Sequence, residues 1–178
     1  MLECIFGLPR NWEQDLEAGI LRHGGNGHRV YICSPQRGAD WAEVQRNILA
    51  ARFYMYNIWV YDRQVSRAPH AYLPLLYCDD NPGERSDAIA IGLSLVAGCS
   101  ALYVCGNRIT EGMRNEIIQA LYCKIPITVF DPNLSDEMRR LFRKAVANPR
   151  LLKLNEEPHH KKLGFSAEEL FEGVPCDD

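Results

Sequence analysis

A carboxylate one turn into a helix, directly after a strand and just beyond a glycine, is placed for covalent chemistry. The segment Cys105-Gly106-Asn107-Arg108-Ile109-Thr110-Glu111-Gly112-Met113-Arg114-Asn115-Glu116-Ile117 has this form. At about 100° per residue, Met113, Ile117, Ala120 and Leu121 make the apolar stripe of the helix, and Glu116 lies at its margin. Position 112 lies one turn earlier on nearly the same side, and its glycine leaves no side chain over the carboxylate, so a ligand can approach there. The helix amino terminus adds unpaired N–H groups and the positive dipole end, which predict an ionised and therefore nucleophilic Glu116. A solvated face on which Glu111 and Glu116 merely complement the dipole gives the same spacing, and periodicity leaves both readings open.

Further candidates are spread along the chain. Cys33-Ser34-Pro35-Gln36-Arg37-Gly38 combines a hydroxyl, a forked guanidinium donor and a glycine that admits close backbone approach. Ser34, Arg37 and Gly38 are thus parts of a small phosphate or sugar-hydroxyl site, although an ordinary strand-to-helix turn has the same composition. His70, in Ala68-Pro69-His70-Ala71-Tyr72-Leu73-Pro74, has no second histidine or carboxylate at metal-ligand spacing, so a hydrogen-bonded role is expected of it. Asp79, Asp80, Glu84 and Asp87 have the chemistry to bind Mg²⁺ or to hydrogen-bond a base or ribose, but acids before a helix also serve as caps, and capping is expected of at least two. No metal site and no cofactor are predicted.

These residues need elements to hold them. Residues 29–33 form a compact β-type run that stops at Ser34-Pro35. A helix capped by Asp40 is predicted to about Tyr61, then an extended segment over 65–70. After the Asp79-Asp80-Asn81-Pro82-Gly83 loop comes a second helix over 84–97, then a strand over 101–105. The helix bearing Glu116 begins at Thr110 and ends before Pro126, where a strand over 125–130 follows. A helix over 135–147, capped by Ser135 or Asp136, and a short strand over 151–154 complete the pattern.

Strands alternating with helices imply right-handed crossovers and a parallel sheet covered on both faces. The expectation is an α/β, flavodoxin-like, doubly wound sheet of four or five strands with helices on both faces. Ligands in such sheets bind beyond the carboxyl ends of the strands. Ser34–Gly38, His70 and Gly106–Gly112, followed by Met113, fall at those ends. The domain spans residues 29–155. Residues 1–28, with a short helix at 11–23 stopped by Gly24-Gly25-Asn26-Gly27, read as an appendage, and residues 156–178, including His159 and His160, as a polar tail.

Bulk composition narrows the function classes. The chain has 178 residues, 47% apolar and 24% charged, the balance of one globular domain. A net charge of -3 supplies no basic field for a nucleic-acid polymer, and no such partner is expected. No stretch approaches the roughly 18 apolar residues of a membrane span, and acids interrupt the first 23 residues, so neither a membrane partner nor a secretion signal is predicted. The seven cysteines (Cys4, Cys33, Cys78, Cys99, Cys105, Cys123 and Cys176) form no C-x-x-C pair and read as reduced, mostly core thiols of a cytoplasmic protein.

In order and spacing, CSPQRG, APHAYLP, DDNPGER, LYVCGNRITEGMRNEIIQA and KIPITVF resemble the nucleoside 2-deoxyribosyltransferase-like superfamily, most closely its small bacterial and phage branch, over about residues 29–131. The resemblance implies a flavodoxin-like fold and cleavage of the N-glycosidic bond of 2'-deoxynucleosides or their 5'-monophosphates by a glutamate on the helix after the third strand. The matching segment, Gly112 to Ala120, assigns that role to Glu116. By the same resemblance Tyr31 lines the base or sugar pocket, and Ser34, Arg37 and Gly38 are similar to the phosphate loop of the 2'-deoxynucleoside 5'-phosphate N-hydrolases. A homo-oligomer is also implied. Two departures bear on turnover. Residues 89–94 hold no acid where relatives carry an aspartate that helps protonate the leaving base, which leaves Asp87, one turn earlier, as the substitute. The glutamate motif reads Gly-x-x-x-Glu instead of Gly-x-Glu. A nucleotide-binding or nucleotide-sensing module without turnover is the alternative.

Overall fold

A computed structural model describes residues 29–144, 152–154 and Glu169. The predicted appendage at 1–28, the end of the helix at 145–147 and nearly all of the tail lie outside the described residues. Five strands, β1 (Arg29–Cys33), β2 (Val65–Arg67), β3 (Ala101–Val104), β4 (Ile127–Val129) and β5 (Leu152–Leu154), form one sheet in the order β2-β1-β3-β4-β5. Every pairing is parallel, with Val30 opposite Ser66 on one side and opposite Ala101 on the other. This is the flavodoxin-like order, and its switch point lies between β1 and β3. The α/β doubly wound expectation is met.

The period-2 alternation of β1 sorts its side chains between two cores. Tyr31 and Cys33 join Leu102, Val104, Ile127 and Val129 under three helices: α2 (Pro82–Ala97), α3 (Glu111–Tyr122) and α4 (Ser135–Lys144). Val30 and Ile32 face the other way, against Ala50, Ala51, Phe53, Tyr54 and Ile58 of α1 (Trp41–Asp62). The stripe predicted for α3 is the buried one: Met113, Ile117, Ala120 and Leu121 all lie in the first core. Burying a side chain such as Ile117 contributes roughly 2 kcal/mol, and together these contacts fix the helix on the sheet.

Helix ends follow local chemistry, with some departures from expectation. Asp40 caps α1 by accepting the Glu43 N–H, and Thr110 caps α3 by accepting that of Met113. The cap of α2 is not an aspartate: Asn81 accepts the Gly83 and Glu84 N–H groups, with Pro82 in the first turn. Of the acids, Glu84 supports that end by accepting from the Cys78 N–H and the Asn81 amide. Nor do Ser135 and Asp136 cap α4, because a 3-10 turn at Pro132–Leu134, capped by Asp131, runs directly into it. The extended stretch expected to reach His70 stops at Arg67. Pro69, with its fixed φ, opens a 3-10 turn at Pro69–Ala71 that carries His70 inward, and a second turn follows at Leu73–Leu75. No helix among the described residues is long and apolar enough to cross a membrane.

Candidate active site

Beyond the carboxyl ends of β1 and β3, where α2 and α3 lean together, lies a cleft of about 110 Å³. The 3-10 turn gives it Pro69, His70 and Leu73; α2 gives Arg85, Ala88, Ile89, Gly92 and Leu93; α3 gives Glu111, Gly112, Asn115 and Glu116, after the Thr110 cap. Gln36, Arg37 and Asp79 close the rim.

Glu116 marks the floor. Its Oε1 accepts a hydrogen bond of 2.6 Å from the hydroxyl of Tyr31, a residue with no exposed surface at all. The two lie 85 positions apart and meet because β1 and α3 belong to one core. Cys33, two residues along the same face of β1, donates its thiol to the Met113 carbonyl at 3.7 Å and also bears on the carboxylate. No cation pairs with Glu116 among the described residues. Burial therefore dominates and raises its pKa to about 7, while the Tyr31 and Cys33 hydrogen bonds pull the other way. The helix terminus does not keep Glu116 fully ionised, as its position in sequence suggests: near neutral pH both forms are populated. The same neighbourhood, with desolvation first and the Glu116 charge second, pushes the Tyr31 and Cys33 groups well up, so both stay protonated donors.

The rim is an ion network. Asp79 receives Arg37 Nε at 2.5 Å and Arg85 Nη1 at 2.8 Å. Partial burial alone would raise its pKa, but the hydrogen bonds from Arg37 and Arg85 hold it below the ordinary aspartate value. Asp79 and Arg37 thus reach the cleft as the sequence suggests, already paired with each other.

Other candidates land elsewhere. Ser34 is buried and does not line the cleft; its Oγ sits 2.7 Å from His70 Nε2. Tyr31 lies beneath Glu116 instead of lining the pocket. Gly38 serves packing, since a Cβ there would strike the Glu43 side chain, which takes the Ala39 N–H and pairs with Arg108. Gly38 and the exposed Asp80 border a second, broader hollow of about 810 Å³ that shares Arg37 and Asp79 with the cleft. Gly106 is buried with a positive φ of 87°, a turn requirement. Met113 is a core residue whose sulfur accepts the Thr110 N–H. Asp87 is exposed and lies on the side of α2 opposite the Arg85-Ala88-Ile89-Gly92 face, so it does not line the cleft.

Gly112 does leave open space: a Cβ there would meet nothing within 4 Å. The sequence reading missed its counterpart. A Cβ on Gly92 would lie 3.3 Å from the Tyr31 hydroxyl and 3.8 Å from Glu116 Oε1, so this glycine uncovers the floor from the α2 side. A lone glycine inside an otherwise good helical run is the signal that marks it. Arg85 and Asn115 were missed too, being ordinary surface types on helices. Among the described residues no group of three potential ligands could hold a metal, and Cys33, Cys78, Cys99, Cys105 and Cys123 are free thiols.

Residues 28–130 match a family described as a domain of unknown function (DUF7768). The chain belongs to that family. The matched span runs from before β1 to just beyond β4 and contains every residue of the cleft. A search of curated proteins returned no match.

Proposed function

We propose that the cleft cleaves, or transfers at, the N-glycosidic bond of a nucleoside, a 2'-deoxynucleoside or a nucleoside 5'-monophosphate, with Glu116 as nucleophile. The observation that carries this reading is the pairing of Glu116 with Tyr31 at the floor of an open cleft, without a neutralising cation among the described residues. The sequence resemblance to the nucleoside 2-deoxyribosyltransferase-like superfamily assigns the same residue. Tyr31 anchors Oε1, which leaves Oε2 to attack C1' as the C1'–N bond breaks and its electron pair departs with the base. The resulting glycosyl ester is then opened at C1' by water, giving the free sugar, or by a second base, giving a new nucleoside. Only ionised Glu116 attacks, so with its pKa near 7 the rate rises with pH through neutrality and levels above it. Arg37 at the rim supplies a guanidinium for a 5'-phosphate.

Incubation with a panel of deoxynucleosides and deoxynucleoside 5'-monophosphates, followed by chromatography for free base, is the direct test. Intact-protein mass spectrometry should trap the glycosyl ester on the wild type and not on Glu116→Gln, which should lose base release by on the order of 10³-fold or more. Base release by the variant at the wild-type rate would remove Glu116 from this role.

One observation favours a second reading, a nucleotide-binding module without turnover. The face of α2 that borders the cleft offers Ala88, Ile89, Gly92 and Leu93 and no acid to assist a leaving base. Thermal stabilisation by nucleotides with no base released from any of them would decide for it.

A further inference from the structure

His70 is 4% exposed, yet it borders the cleft. A buried imidazole ordinarily satisfies both ring nitrogens. Here Nε2 lies 2.7 Å from Ser34 Oγ, and Nδ1 has no partner among the described residues. Nδ1 is not a sealed orphan either, because the one buried side-chain polar atom without a partner among the described residues is Ser66 Oγ. The remaining accessible surface of the ring therefore includes Nδ1, and the cleft is the cavity that the residue borders.

The tautomer follows from Ser34. Its hydroxyl is buried and makes no other hydrogen bond among the described residues, so its proton has one acceptor there, His70 Nε2. The opposite arrangement, Nε2–H donating to Oγ, would strand the hydroxyl proton in the interior. Nε2 is thus the acceptor, and the ring proton resides on Nδ1.

We infer that His70 is a ligand-contacting residue, its Nδ1–H donating into the cleft to an acceptor atom of the bound group, and that Ser34 is the positioning residue that holds this tautomer. Burial depresses the His70 pKa to about 4, so the ring is a neutral donor at working pH and transfers no proton. Resting on the proposed glycosidic reading, the acceptor is a ring nitrogen or carbonyl oxygen of the base. As the C1'–N bond breaks, negative charge builds on the base, the Nδ1–H hydrogen bond strengthens, and the proton the base finally takes comes from water. This supplies, without an acid on α2, part of the leaving-group assistance that α2 lacks.

The test uses the intact wild-type chain labelled with ¹⁵N-histidine. Two-bond ¹⁵N–¹H correlation spectra should show one histidine locked as the Nδ1–H tautomer down to acidic pH, and addition of deoxynucleoside 5'-monophosphates should move its Nδ1 resonance. An Nε2–H tautomer overturns the inference, as does an unmoved Nδ1 in the presence of a nucleotide that raises the melting temperature. If no nucleotide raises it, the nucleotide reading itself falls and takes the inference with it, a result separable from the first two. In turnover, His70→Phe should lose about 10²-fold in kcat/KM, and His70→Asn, whose amide nitrogen overlays Nδ1, should recover part of that. Ser34→Ala should lower kcat by about tenfold with KM unchanged and mix the two tautomers in the spectrum. Equal kcat/KM in His70→Phe and wild type would also overturn it.

Discussion

At the rim of the cleft Asp79 sits between the guanidiniums of Arg37 and Arg85, whereas at the floor Glu116 meets, among the described residues, a phenol and a thiol and no cation. The two carboxylates border one cavity and are driven apart in acidity, Asp79 below its ordinary value and Glu116 up to about 7. Charge compensation makes the rim a permanent ion network suited to positioning. Its absence at the floor leaves a carboxylate whose proton comes and goes near neutral pH, which suits chemistry. Neither difference is visible in residue type, because both groups are acids beside helix starts.

The largest way to break this contrast is Glu116→Gln, read as stability against pH. The partly buried site accommodates protonated Glu116 more readily than the ionised form, so the folded state binds a proton more tightly than the unfolded chain. Its stabilising contribution is complete below the unfolded pKa of about 4.5 and is lost as pH rises through about 7. Above neutrality the penalty is on the order of 3 kcal/mol, and chemical denaturation at pH 8 should find Glu116→Gln more stable than wild type, with the gap closing by pH 4. Subtracting the two profiles removes the opposite contribution of His70, whose depressed pKa withdraws stability as pH falls from 6.5 towards about 4. Equal stability of variant and wild type at pH 8 would mean that Glu116 is not desolvated.

A smaller effect is expected from Tyr31→Phe. Loss of the phenolic donor strips the carboxylate of its strongest stabilising hydrogen bond, so the pH midpoint of the proposed base release should move alkaline by roughly one pH unit. Smallest is Asp79→Asn at the half-exposed rim. Its stability cost should stay below about 1 kcal/mol and the pH midpoint should not move. Freed from their partner, Arg37 and Arg85 should lower KM for monophosphates but not for nucleosides, more at low salt than at high. A shifted midpoint in Asp79→Asn would show that rim and floor are one electrostatic unit.

Much of the frame was legible in the sequence because it rests on local periodicity and capping. The apolar stripe of α3, the Asp40 cap and the β-type runs of β1 and β3 depend on neighbours a few residues apart, and the parallel order follows from their alternation with helices. The site was legible only in part. Glu116 and Gly112 announce themselves through helical spacing, but the Tyr31 contact depends on register between elements 85 residues apart, and Ser34 finds His70 only because Pro69 turns the chain inward. The glycine signature at Gly38 answers to packing and that at Gly106 to a left-handed turn. Asp87 is lost to helix rotation, which periodicity could have supplied had the cleft-facing side of α2 been known.

Gly92 carries a lesson for anyone hoping to toughen this protein against heat. Glycine within a helix is weaker than alanine by about 1 kcal/mol, so a scheme that ranks substitutions by helix-forming tendency would choose alanine at this position early. The added methyl would crowd the tyrosine oxygen and begin to plug the well above the glutamate. Durability gained there would come at the expense of the opening, which makes this residue the first that thermostabilisation by consensus or by algorithm should leave alone.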